Sequence, residues 1–177
     1  MKGKLWIMNE CIDKRAANVV KLLSDKGKKA ATAESCTGGL VSAAITSVSG
    51  SSEVFEMGVC SYANRIKEKA LSVSSEALEK YGAVSEQVAK EMAQGVMIHS
   101  GSDFGVSTTG VAGPTGGTAE KPVGTVWIGV CSEDSCHAEK FLFSAEGCPD
   151  GLTEREYIRR QAVCKALELL QSEIEKS

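Results

Sequence analysis

The sequence predicts an α/β fold: a three-layer α/β/α sandwich around a mostly parallel, mixed sheet. Three observations carry that expectation. Stretches with helical and with strand periodicity alternate along the chain. Helices interleaved with strands imply a mostly parallel sheet covered on both faces. Two successive strand-like stretches within 124–143 add an antiparallel pair.

In chain order, residues 9–26 form the first predicted helix, with Ile12, Ala16, Val19, Val20 and Leu23 on one face and Gly27 at its stop. Residues 28–34 form a short strand. A turn over Ser35–Gly39 leads into a second helix marked by Leu40, Val41, Ala44, Ile45 and Val48. Residues 55–62 form a strand, and Asn64 is placed to cap a short helix ending near Leu71. Another short helix occupies 75–81 and stops at Gly82. Ser85 caps a longer helix in which Val88, Met92 and Val96 recur every four residues, ending at Ser100-Gly101. Residues 103–109 alternate as a strand. A Gly-rich loop, GVAGPTGGTAEKP, fills 110–122. Strands at 124–132 and 137–143 pair through Glu133-Asp134. Thr153 and Glu156 form a capping box for a last helix that turns Ile158, Ala162, Ala166, Leu169 and Leu170 inward.

The composition bounds the function. A chain of 177 residues, 42% hydrophobic, suits one domain, 1–177, with a core of its own. Twenty Lys and Arg against 23 Asp and Glu leave a net charge of -3, which argues against nucleic acid as the partner. No apolar run reaches the roughly 20 residues that span a membrane, and the start has no signal-peptide pattern, so a cytoplasmic location is expected. The seven cysteines are odd in number and contain no C-x-x-C pair, which points to reduced thiols. Cys131, Cys136, His137 and Cys148 match no standard zinc spacing, and no metal is expected.

Three predicted strand ends carry the candidate chemistry. At Ala33-Glu34-Ser35-Cys36-Thr37-Gly38-Gly39 a strand gives way to a helix start, where unpaired N–H groups can receive an anion or an oxyanion. Ser35 stands where a nucleophile would be needed; the alternative is that Ser35 or Thr37 only caps the helix. His99 and His137 are badly placed for a Ser-His-Asp triad. In Tyr62-Ala63-Asn64-Arg65-Ile66-Lys67, a desolvated Lys67 can act as base, with Tyr62 beside it; the alternatives are an exposed helix lysine and a packing tyrosine. The third stretch, Thr108 to Gly117, is neither a Walker A loop nor a dinucleotide fingerprint, but its glycines can cradle an anion. In a parallel sheet these three strand ends share one edge, where such folds bind ligands.

The stretches AESCTGGLVSAAITSVSGSS, Y-A-N-x-x-K, GAVSEQVAKEMAQG, TTGVAGPTGG and KPVGTV together resemble the competence/damage-inducible protein C-terminal domain family, bacterial nicotinamide-nucleotide amidohydrolases, over residues 11–172. The resemblance is to the stand-alone form, without the extra N-terminal domain of larger members. It implies hydrolysis of nicotinamide mononucleotide to nicotinate mononucleotide and ammonia, with no cofactor. It implies Ser35 as nucleophile, Lys67 as base and Tyr62 as its companion. Thr109, Gly110 and Gly113 fall on the substrate-side loop, and Arg155 resembles the arginine of a Gly-Asp-Arg stretch that here reads Thr-Glu-Arg. Backbone N–H groups around Thr37, Gly38 and Gly39 are expected to meet the oxyanion. The rival readings are a non-catalytic nucleotide-binding module and a metal-dependent pyrophosphatase; the latter is held lower because the candidate loops contain Glu34 but no paired acids. A homodimer is expected from the edge strand and apolar helix faces.

Overall fold

The computed structural model describes residues 3–177. Its five strands lie in the order β2-β1-β3-β4-β5. Strands β1 (Ala30–Glu34), β2 (Phe55–Cys60) and β3 (Phe104–Gly110) are mutually parallel, while β4 (Thr125–Cys131) and β5 (Cys136–Leu142) continue the sheet antiparallel. The mixed sheet and the hairpin are as the sequence predicts.

Helices cover both faces. α1 (Gly3–Lys26), α2 (Leu40–Thr46) and α6 (Glu154–Lys176) lie on one side, where Ile45, Leu167 and Leu170 pack on Val106, Val126, Ile128 and Val130. On the other side lie α3 (Asn64–Leu71), α4 (Ser75–Tyr81) and α5 (Glu86–Ser100), with Val88, Met92 and Val96 meeting Ala31 and Ala33. The two-residue period of β3 and β4 sorts their side chains between these cores. The residues facing α5 are small: Gly105, Ser107 and Gly129. Ser107 Oγ donates to Ala89 O of α5 at 2.6 Å. A methyl group on Gly129 would run into the same carbonyl. The long helix therefore sits close against the strands.

Four local readings are corrected. α1 begins six residues earlier than its apolar period shows, because Trp6 and Ile7 in its first turns are exposed and break the stripe. A 3-10 turn at Ser51–Glu53, without a sequence signal, precedes β2. Asn64 does not cap α3: Ala63 holds the cap position with no side-chain bond, and Asn64 is the first helical residue. Cysteines pair, Cys11 with Cys164 between two helices and Cys131 with Cys136 between the adjoining strands of the hairpin, where the sequence predicts free thiols. The first pair joins α1 to α6, neighbours in space that are 153 residues apart in sequence; the second consumes two members of the conceivable zinc set. No helix among the described residues is long and apolar enough to cross a membrane.

Gly95 shows how tightly the α5 layer is set. A Cβ there would overlap the Leu71 carbonyl oxygen at the end of α3. Gly95→Ala gains about 1 kcal/mol of helix propensity. Forced overpacking costs about 1–3 kcal/mol or more, and against rigid backbone the upper end applies. The substitution should therefore lower the unfolding free energy by about 2 kcal/mol, read from the urea midpoint. A stabilised Gly95→Ala would mean that the two helices can slide apart.

Candidate active site

The order of the parallel strands fixes where the loops meet. The chain leaves β1 toward β2 on one side and returns past it to β3 on the other, so the topological switch lies between β1 and β3. The segments after β1, β2 and β3 open at that edge. They enclose a cavity of about 290 Å³ lined by Ser35, Tyr62, Asn64, Lys67, residues 109–113 and Arg155. A larger groove of about 470 Å³ between α1 and α6 is mostly apolar, and its two cysteines are bonded to each other. The chemistry therefore concentrates at the strand edge.

Ser35 and Lys67 meet there. Lys67 Nζ lies 3.2 Å from Ser35 Oγ and donates to Ser61 O at 2.6 Å. α3 starts at the rim and delivers this side chain inward, so Lys67 is 1% exposed. That is the reverse of an ordinary helix lysine. Burial lowers its pKa below the usual 10.5, because the ammonium loses its hydration. The one opposing influence is Cys36. Burial pushes the Cys36 thiol up to about 12, so it is uncharged at neutral pH and the opposition vanishes there. Ser61 is itself fully buried and its hydroxyl has no partner.

Glu34, the last residue of β1, shapes the loop that carries Ser35. Its buried carboxylate accepts from the backbone N–H groups of Gly39, Val41 and Ser42 at 2.9, 3.0 and 2.8 Å. It also accepts from the hydroxyls of Thr37 (2.6 Å) and Ser42 (2.7 Å). Each hydroxyl has one proton. Thr108 must therefore donate to Thr37, and Thr32 to Ser42. All the protons run toward one carboxylate. Gly38 and Gly39 take positive φ (60° and 94°), which lets the chain fold back over it.

This arrangement revises the expected oxyanion site. The start of α2 is already occupied by Glu34, an anion from within the chain. Gly39 N–H and the Thr37 hydroxyl are spent on it, Thr37 is fully buried, and Thr37, Gly38 and Gly39 do not line the cavity. The other residues singled out do gather at the cavity: Ser35, Tyr62, Lys67, Thr109, Gly110, Gly113 and Arg155. Their roles differ. Tyr62 is 65% exposed, and its hydroxyl accepts from Arg155 at 2.9 Å and bonds neither Ser35 nor Lys67. Arg155 also donates to Gly113 O, so one guanidinium ties the β2 loop to the Gly-rich loop across the rim. Thr109 Oγ1 donates to Ala83 O at 2.7 Å and fastens the turn between α4 and α5 to β3. His99 bonds Ala70 O and Ser72, and His137 lies on β5; neither lines the cavity.

Three contributors escape the sequence reading. In the sequence Glu34 is only an unpaired acid. Asn64 lines the cavity because it sits past the cap rather than on it. Arg159, one helical turn after Arg155, donates to Cys36 O (3.1 Å) and Thr37 O (2.6 Å). The i, i+4 spacing of Arg155 and Arg159 on an otherwise core-facing helix is the signal that could have found it.

Comparisons with known proteins bear on the family and the fold. The family model described as the CinA C-terminal domain matches residues 12–174. A protein of Thermoanaerobacter sp. (strain X514) named as competence-damage inducible is 47% identical over 152 residues, 86% of this chain and 35% of that protein. One of Clostridium perfringens (strain 13 / Type A) is 45% identical over 158 residues, 89% of this chain and 36% of that protein. The chain thus spans about a third of the length of these relatives. The crystal structure of a competence/damage inducible protein from Agrobacterium tumefaciens superposes with a TM-score of 0.84 at 38% identity, covering 90% of this chain and 93% of that one. A CinA superfamily structure from Escherichia coli gives 0.82 at 32%, covering 90% and 89%.

Two outcomes follow from the buried charges. Glu34→Gln replaces an acceptor with a donor facing N–H groups and should cost about 2–4 kcal/mol, at least one orphaned buried amide with its hydroxyl partner, read as a lower urea midpoint. Unchanged stability would mean that the network carries no weight. For Lys67 the sign is opposite to that of a paired lysine. Between its lowered folded pKa and 10.5, the unfolded chain binds a proton that the folded chain does not, so wild-type stability rises with pH. Lys67→Met removes that contribution. The unfolding free energy of wild type relative to that of the variant should rise as pH climbs toward 10.5. A difference that is flat with pH would show an amine titrating normally.

Proposed function

The chain belongs to the CinA C-terminal domain family, and on that premise we propose that it hydrolyses the carboxamide of nicotinamide mononucleotide, giving nicotinate mononucleotide and ammonia. The observation that carries this reading is the approach of Lys67 Nζ to 3.2 Å from Ser35 Oγ inside a cavity. A serine hydroxyl needs a base to become a nucleophile. A buried amine with a lowered pKa is such a base when neutral. One of its N–H bonds stays on Ser61 O, and its lone pair faces the Ser35 proton.

Ser35 Oγ attacks the amide carbon while Lys67 takes the proton. The tetrahedral oxyanion is met by main-chain N–H groups of cavity-lining residues, with Cys36, Ala112 and Gly113 the candidates, rather than by the α2 start that Glu34 fills. Such a donor is worth on the order of 3 kcal/mol. Lys67 then returns the proton to the leaving nitrogen, ammonia departs, and water, activated by the same amine, cleaves the acyl-serine. Tyr62 serves this scheme by holding Arg155 at the rim rather than as a base. Arg155 there is suited to the anionic phosphate of the substrate. The partner is a small-molecule nucleotide, and the setting is pyridine-nucleotide recycling in the cytoplasm. A metal-dependent pyrophosphatase is disfavoured because Glu34, the acid available to it, has both oxygens committed to hydrogen bonds.

The test is ammonia release by the purified protein from nicotinamide mononucleotide, its riboside and the dinucleotide. The mononucleotide should be turned over, Ser35→Ala should lose roughly 10³-fold or more, and Lys67→Met should lose comparably. Wild-type kcat should rise with pH to a midpoint below 10.5. Lys67→Arg, which stays protonated, should be inactive throughout. Turnover by Ser35→Ala at the wild-type rate would remove the serine mechanism; binding without ammonia would make the domain a nucleotide-binding module.

A further inference from the structure

We propose that Arg159 is a positioning residue that holds the loop of the nucleophile in its reactive geometry. This inference rests on the reading of Ser35 as nucleophile. The guanidinium of Arg159 does not line the cavity. It approaches the 35–39 loop from the α6 side and forks onto two successive carbonyls, Nε to Cys36 O at 3.1 Å and Nη2 to Thr37 O at 2.6 Å. These are the first two carbonyls after the Ser35 peptide unit.

The loop needs such a partner. Glu34 satisfies N–H groups of the Gly39–Ser42 stretch and has nothing to offer a carbonyl. The Cys36 and Thr37 carbonyls precede the regular part of α2, and Thr37 O has from the main chain only a long bond, from Leu40 N–H at 3.4 Å. A guanidinium suits them, because it has five N–H donors in a fixed plane, no acceptor, and a charge that persists at any working pH. Room for it comes from residue 38, where a Cβ would stand 3.2 Å from Arg159 Nη2. Gly38 is thus needed twice, for its positive φ of 60° and for the close passage of the arginine. The acid draws in the N–H groups on one flank of the loop and the base draws in the carbonyls on the other. Ser35, which begins the segment, is held with its own N–H on Thr108 O at 2.9 Å. From that backbone its hydroxyl reaches Lys67 Nζ at 3.2 Å.

The residues next to Arg159 on α6 provide the controls. Arg160 points away and donates to Asn9. It therefore reports what losing a helix arginine does in general. The experiment compares Arg159→Ala, Arg159→Lys and Arg160→Ala by two readouts. The first is the rate at which phenylmethylsulfonyl fluoride labels Ser35, followed by intact mass, which needs no substrate. The second is kcat and KM for ammonia release. A misplacement of about 1 Å costs roughly 100-fold in rate. Arg159→Ala should therefore lose roughly 100-fold in both labelling rate and kcat, with KM held within about twofold. Millimolar methylguanidinium should restore part of both. Arg159→Lys, a point charge that cannot fork, should fall between, and Arg160→Ala should label like wild type.

Wild-type labelling by Arg159→Ala overturns the proposal. So does a loss carried by KM, which would make Arg159 a substrate ligand, or a loss in the folded variant that methylguanidinium leaves untouched. If the alanine variant does not fold, Arg159→Lys decides: labelling at the wild-type rate overturns the proposal, and slowed labelling with an unchanged thermal midpoint supports it. A wild-type protein that labels at Ser35 in an Arg159-dependent way, yet releases no ammonia from any nicotinamide compound, removes the substrate assignment and leaves the positioning role standing. A Ser35 that resists the reagent in the wild type overturns both.

Discussion

The site depends on a carboxylate buried at the end of β1. Nucleotide-binding α/β folds of the P-loop and dinucleotide type leave the first helix start open, and its unpaired N–H groups then receive an anion from outside. Here Glu34 fills that place with an anion of the chain's own. Two consequences follow. The electropositive end of α2 is satisfied in the folded state and exerts little pull on a ligand. The chain between Glu34 and α2 must also curl over its own carboxylate, which puts Ser35 at the outside of a tight turn. The glycines at 38 and 39 are the steric condition for that curl. Thr32, Ser42, Thr37 and Thr108 orient their protons toward the same acid and extend the constraint across β1 and β3.

A second buried charge-bearing group, Lys67, stands against this first one. Its burial would be costly if it stayed protonated, since an ammonium without a carboxylate partner loses its water and gains only two acceptors. It bonds Ser61 O and Ser35 Oγ and no acid. The same absence of an acid partner that makes the residue unfavourable for stability favours the neutral amine: a salt-bridged lysine would hold its proton. The fold tolerates it because α3 is anchored independently, through Leu71 in the core and the close passage of Gly95.

Legibility in the sequence followed the range of the interactions involved. Elements defined by local periodicity or capping were readable: Ser85 and the Thr153–Glu156 box cap their helices as predicted. The sharing of one sheet edge by Ser35, Lys67, Tyr62 and the 109–113 loop was readable too, because parallel strands end on the same side. What escaped was decided by partners distant in sequence or by a shift of one residue. Asn64 looks like a cap and lies one position inside the helix. The α2 start looks like an anion site, and only the folded chain shows that Glu34, the residue before Ser35, already fills it. Cys11 and Cys164 carry no mark of each other until α1 and α6 are packed. Tyr62 reads as a partner of Lys67 five residues away, yet its hydroxyl partner is Arg155, 93 residues on.

The third element of the site, α6, violates a local rule, and the violation is informative. Cations are unfavourable near a helix N-terminus, where the backbone already carries partial positive charge. Arg155 and Arg159 occupy the first two turns of α6 nonetheless. Nothing in α6 itself calls for them there: its core face is formed by Ile158, Ala162, Ala166 and Leu170, and an uncharged residue would serve the helix better at both positions. The chain compensates locally with Glu154 and Glu156 in the first turn and with the reciprocal Thr153–Glu156 cap. That cap also sets the phase of the helix. With the start fixed, residues four apart fall on one face, and both guanidinium groups reach the strand-end loops, Arg155 to the rim and Arg159 to the loop behind the serine. A one-residue slip of the cap would rotate each arginine by about 100° and detach both. The strongest local start signal in the chain thus stands where a long-range constraint is most exacting.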